Sequence, residues 1–128
     1  MSDVIFPKPP AYLIQVALSG NGQAIAAGTK KGVAPITIAG TITAFQVDCD
    51  PANEPVGASV IVDLNKIDRS TGTATSVLSV RATIATGANT GAGTLNGTQT
   101  VAAGDMLTLD IDQGSDGKEL VATITVQP

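Results

Sequence analysis

A chain of 128 residues with a net charge of -4, 14% charged residues, no His and a single Cys has room for one hydrophobic core and few tools for chemistry. Without imidazole, the Ser-His-Asp triad, the Cys-His dyad and the common zinc sites are closed to it. The seven basic residues are scattered apart from Lys30-Lys31, and one Tyr and two Phe are too few for a stacking platform, so a nucleic-acid groove is not expected.

No apolar run approaches the roughly 20 residues of a membrane span. The start of the chain lacks the charged, apolar and small-residue order of a secretory leader. A soluble protein is expected, with neither membrane nor nucleic acid as partner. The lone thiol of Cys49 excludes an internal disulfide and reads as a small buried apolar residue.

Met1 to Pro10 holds three prolines, which remove amide donors and push the residues before them to extended geometry, so this stretch is not helix. Val4, Ile5 and Phe6 would be wasted in a solvated tail. Residues 1–10 therefore read as an extended arm laid on a neighbour, with Val4, Ile5, Phe6, Pro7, Pro9 and Pro10 as its partner-binding residues. Residues 11–128 read as a single domain.

From Tyr12 the pattern alternates, with Tyr12, Ile14, Val16 and Leu18 on one strand face and Gln15 and Ala17 on the other. Ser19 to Gly22 is turn chemistry, and a short segment follows over Gln23 to Ala27. Gly28 to Gly32 reads as a loop leading into a strand over Val33 to Ile38, where Pro35 marks a sheet edge or bulge and the lysines protect that edge. Gly40 to Asp48 is a strand with Thr41, Thr43, Phe45 and Val47 on one face and Ile42 and Ala44 on the other.

After the proline-bounded loop Asp50 to Pro55, Ser59 to Leu64 alternates with Val60, Val62 and Leu64 inward. Asp68 to Gly72 is a turn, Ser76 to Val80 and Ala82 to Ala85 are short apolar pieces, and Thr86 to Gly93 reads as a long loop too poor in apolar mass to reach the core. Asn96-Gly97 is a candidate hairpin turn. Met106 to Asp112 places Leu107, Leu109 and Ile111 inward, Gln113 to Gly117 turns, and Leu120, Ala122, Ile124 and Val126 face the core from the last strand.

Many short strands with frequent turn signals and no helical period predict an all-β protein, an antiparallel β-sandwich of jelly-roll type.

No group of residues has the spacing of a catalytic, cofactor or metal site. Asp110 and Asp112 share a strand face, which is the polar side of a half-buried strand. With Asp116 they share some letters of a calcium loop, but Gly114 comes one place early and Val121 stands where the bidentate Glu belongs. Gly22 to Lys30 misses the phosphate-loop spacing by one residue and has no helix after it. Asn96-Gly-Thr98 matches a glycosylation sequon, which carries no weight without a secretory route.

Four blocks resemble a recurrent β-domain of tailed-phage virion proteins: Gly22-Gln-Ala-Ile-Ala-Ala-Gly-Thr-Lys-Lys-Gly32, Ile38-Ala-Gly-Thr-Ile-Thr-Ala44, Gly57-Ala-Ser-Val-Ile-Val-Asp-Leu-Asn-Lys66 and Val101-Ala-Ala-Gly-Asp-Met-Leu-Thr-Leu-Asp-Ile-Asp112. That domain occurs in capsid decoration (cement) proteins and in tail-fibre and appendage proteins. The resemblance implies a non-enzymatic virion protein without cofactor. Its implied partner is the major capsid protein or another virion protein, and it implies a homotrimer. Two roles follow as expectations: a cement protein that stabilises the head shell, or a receptor-binding module or other component of a tail fibre or spike.

Overall fold

In the computed structural model, residues 9–20 and 22–128 are described. They form fourteen strands and no helix. In chain order these are β1 (Tyr12–Ala17), β2 (Ala24–Ile25), β3 (Gly28–Pro35), β4 (Gly40–Asp48), β5 (Val60–Ile67), β6 (Ala74–Ser76) and β7 (Leu78–Val80). There follow β8 (Ala82–Ile84), β9 (Thr90–Ala92), β10 (Thr94–Leu95), β11 (Gln99–Val101), β12 (Met106–Gln113), β13 (Ser115–Lys118) and β14 (Val121–Gln127).

The pairing is nested. β5 pairs with β8, β4 with β9, β3 with β12 and β1 with β14, all antiparallel, as if one long hairpin had been folded from its two ends. Two further pairings, β14 with β4 and β12 with β5, roll that hairpin into two sheets, β1-β14-β4-β9 and β3-β12-β5-β8. This is the strand order of a jelly roll, so the expected all-β sandwich is the observed fold.

The remaining strands are corners and extensions of this plan. β2 and β13 pair where the outer ribbon crosses from one sheet to the other. β6 extends the β8 side of β5, and β11 extends the β9 side of β4. Between them β7 and β10 pair with each other and close that flank of the sandwich.

The core lies between the sheets. Val60, Val62 and Leu64 on β5, Leu107, Leu109 and Ile111 on β12, and Ala122, Ile124 and Val126 on β14 are all buried, as their alternation predicts. Leu18, Ile25, Leu120 and Cys49 fill one end, and burial, ahead of the nearby Glu54, Asp50 and Asp48 charges, pushes the Cys49 thiol pKa up. It stays protonated and packs as an apolar side chain.

Strict alternation fails in β4. Ile42 is buried beside Phe45 and Val47, not on the outer face with Ala44. A bulge is the cause: Thr125 pairs with Ala44 but the next residue, Val126, pairs with Ile42, so Thr43 has no partner. One extra residue reverses the parity of everything before it.

Three loop expectations are also corrected. Gly28 to Gly32 is strand, because it continues the ladder to β12 with a bulge in which Lys30 adopts a positive φ of 49°. Thr90 to Ala92 is strand β9, not loop; its value to the fold is smallness rather than apolar mass. A Cβ on Gly91 would stand 2.0 Å from the Thr83 carbonyl oxygen, where the edges of the two sheets meet. Ser115 to Lys118 is strand β13 rather than part of a turn.

Asn96-Gly97 does turn, with Gly97 at φ 67°, but it joins β10 to β11, which pair with β7 and β4 respectively and not with each other. The edge inferred from Pro35 is real, since β3 ends its sheet.

Candidate interaction surface

Of the arm residues, Val4, Ile5, Phe6 and Pro7 lie outside the described residues. Pro9 and Pro10 are exposed. The Pro9 carbonyl accepts a hydrogen bond from Gln127 Nε2 at 2.8 Å, which fixes the chain beside the end of β14. Three residues on, the Tyr12 hydroxyl donates to the Ile38 carbonyl. The arm therefore leaves from one end of the sandwich, where Ile38 is itself 55% exposed.

That end is held by Asp105, a buried carboxylate. Its Oδ2 accepts the Ala102 amide at 2.8 Å and lies 3.5 Å from Lys66 Nζ, while Oδ1 accepts Arg69 Nε at 3.3 Å. Its carbonyl accepts the Ile36 amide at 2.8 Å. One residue thus ties the end of β5, the loop after β11 and the segment after β3. Beside it lies an open cleft of about 590 Å³, lined by Lys66, Arg69, Ser76, Asn96 and Gln99 among others.

The Ala102 amide, with Lys66 and Arg69, holds the Asp105 carboxyl below the usual carboxylate range. Asp50, Asp68 and Asp116 are lowered in the same way, chiefly by hydrogen bonds from Ala52, Ser70 and Val56. A carboxyl whose folded pKa is depressed gives its stabilisation above the unfolded value of about 3.9 and loses it as pH falls through the folded value. We expect Asp105→Ala to cost about 1.5–3 kcal/mol at neutral pH, as loss of a charge-assisted bond to a buried group does. Urea unfolding between pH 2 and 6 should show a shallower loss of stability on acidification than in the wild type.

The three acids of the pseudo-calcium stretch do not converge. Asp110 accepts the Lys30 amide of the β3 bulge at 2.8 Å and the Asn65 side-chain amide at 3.1 Å. Asp112 pairs with Arg81 at 2.9 Å. Asp116 accepts the Val56 and Gly57 amides at 3.0 and 3.3 Å. Each serves a different loop or bulge, and among the described residues no group of three or more Cys, Asp or Glu is arranged to hold a metal ion.

The two flanks of the sandwich differ. Along one, the sheet edges meet at Gly91 and are linked by β7 and β10. Along the other, β1 and β3 are both terminal strands. β3 carries Lys30, Lys31 and Pro35, all exposed, which discourage further pairing. β1 has neither charge nor proline, and its inward residues Tyr12, Ile14 and Val16 are only partly buried, whereas those of β4, β5, β12 and β14 are buried. Leu13, on its outer face, is 60% exposed.

Sequence reasoning assigned an edge to β3 from its proline and did not find the one at β1. The available signal was apolar residues on both faces of Tyr12 to Val16 with no charge among them.

The sequence matches no family model and no curated protein. In structure the chain is similar to a chain from the capsid of Ralstonia phage GP4, with a TM-score of 0.60 and 15% identity. The match covers 100% of this chain and 91% of that one. At this identity the likeness concerns the fold: the whole jelly roll is shared, end to end.

Proposed function

We propose that the protein is a non-enzymatic structural component of a phage particle, a decoration protein that seats on the head shell and whose N-terminal arm straps onto the shell or a neighbouring copy. The observation that carries this reading is the end-to-end likeness to a chain of a phage capsid.

The chemistry of the chain supports the same reading. It has no His, its thiol is buried and held protonated, and Asp105 and Asp116 are engaged by backbone amides. The partner in this reading is the major capsid protein or another virion protein, with the decoration protein itself a homotrimer. Val4, Ile5, Phe6, Pro7, Pro9 and Pro10 supply the strap.

The test is removal of Met1 to Lys8, which leaves Pro9 and its bond from Gln127 in place. We expect an unchanged melting temperature and a fall in co-sedimentation with stripped particles of tenfold or more. Burial of Ile5 and Phe6 contributes roughly 1.5–3 kcal/mol each, and about 1.4 kcal/mol is a factor of ten in affinity. Unchanged decoration by the truncated protein would overturn the strap. If the truncated protein also bound host cells or surface glycan, the receptor-binding tail component would be the better reading.

A further inference from the structure

We infer that the open edge of β1 is a strand-acceptor site, and that its occupant is the segment Asp3 to Phe6 of a second copy of this chain. The inference rests on the arm being a strap, as proposed above, and adds where one copy's arm lands on the next.

The acceptor is defined by contrast with the other edges. β3 is guarded by two lysines and a proline, and the far flank is closed by β7, β10 and the Gly91 contact. Of the two strands that end the large sheets on the open flank, β1 and β3, only β1 has neither charge nor proline. Such an edge presents unpaired amides and carbonyls to any extended chain. The half-buried row Tyr12, Ile14 and Val16 leaves apolar surface inside the sandwich to be covered, and Leu13 leaves apolar surface outside it.

The occupant is chosen by the length of chain beyond Pro9 and by where it departs. Asp3-Val-Ile-Phe6 is apolar at three successive positions, so as an added strand it offers apolar side chains to both faces. Val4 and Phe6 would then cover Ile14 and Val16, with Ile5 beside Leu13.

An arm continued in extended form from Pro9 would lead away from its own β1 edge. The Gln127 bond holds Pro9 on the β14 side of β1, and Pro9 and Pro10 keep the chain extended where a return would have to turn. Eight residues before Pro9 span about 27 Å when extended, enough to reach a neighbouring sandwich. An arm-to-edge contact is heterologous, and it closes into a ring when the rotation between copies allows. That is the geometry a trimer requires.

Amide hydrogen exchange and sedimentation velocity on the full chain test this. In the intact protein the outward amides of β1 should be protected in the assembled species and lose protection on dilution. Removal of Met1 to Lys8 should speed their exchange tenfold or more and yield monomer, and a peptide of residues 1–8 added in trans should restore protection. Leu13→Lys, a change at an exposed position, should abolish assembly without lowering the melting temperature.

Unchanged β1 exchange after truncation, or protection that persists in a dilute monomer, would overturn the inference. If truncation abolished particle binding but left β1 exchange and assembly untouched, the strap reading would survive and this one would fall. If it released β1 and dissociated the assembly while particle binding persisted, the arm would be a strap between copies, and only its attachment to the shell would fall.

Discussion

Ile42→Ala will lower the unfolding free energy by about 2–5 kcal/mol, the cost of emptying a well-packed core position. Uninterrupted alternation along β4 puts this side chain on the outer face, where truncation would change stability by no more than about 0.5 kcal/mol. The bulge at Thr43 decides between the two. Ile42 is 2% exposed and lies in the same buried layer as Phe45 and Val47, while Ala44 is exposed. Chemical denaturation of the purified variant measures the difference, and a loss below about 0.5 kcal/mol would mean that β4 pairs with β14 without the bulge.

Leu109→Ala should be costly for a different reason. Leu109 is fully buried at the centre of β12, which is paired on both sides, with Leu64 of β5 and Gly32 of β3 as cross-strand partners. The Gly32 position has no room to compensate, since a Cβ there would already stand 2.4 Å from Leu18 and 3.3 Å from Leu109 itself. A site flanked by rigid ladders collapses poorly around a void, so the loss should again be about 2–5 kcal/mol. The result is read as a shift in the urea midpoint at constant slope. A shift equivalent to less than about 0.5 kcal/mol would place β12 in the wrong register.

Where strands keep a clean period of two, the sequence was enough. Val60, Val62 and Leu64, then Leu107, Leu109 and Ile111, then Leu120, Ala122, Ile124 and Val126 all point where their alternation says. What escaped was each place where the chain departs from the period or substitutes close approach for apolar content. The Thr43 bulge carries no special residue, so nothing in Gly40 to Asp48 announces the change of parity. β9 was missed because Thr86 to Gly93 has too little apolar mass to look like anything but a loop; Gly91 is there to let two backbones meet at the Thr83 carbonyl.

The polar network around Asp105 was likewise invisible, because its members come from residues 66, 69, 102 and 105 and meet only once β5 and β12 are paired. Asp110 does lie on the polar, half-buried face of β12, and there it also accepts the Lys30 amide, which the β3 bulge leaves without a ladder partner. Of the proposed interaction surface, the sequence displayed the donor, in Val4, Ile5 and Phe6, and concealed the acceptor. An edge strand is defined by what does not pair with it.

The central claim, that this jelly roll is a decoration protein of a phage head, is tested most directly by labelling the protein on intact particles with an antibody and imaging them by electron microscopy. The account predicts label distributed over the head surface, lost when particles are stripped of the protein and regained when the intact chain is added back. Label confined to the tail or its tip, with bare heads, would contradict it.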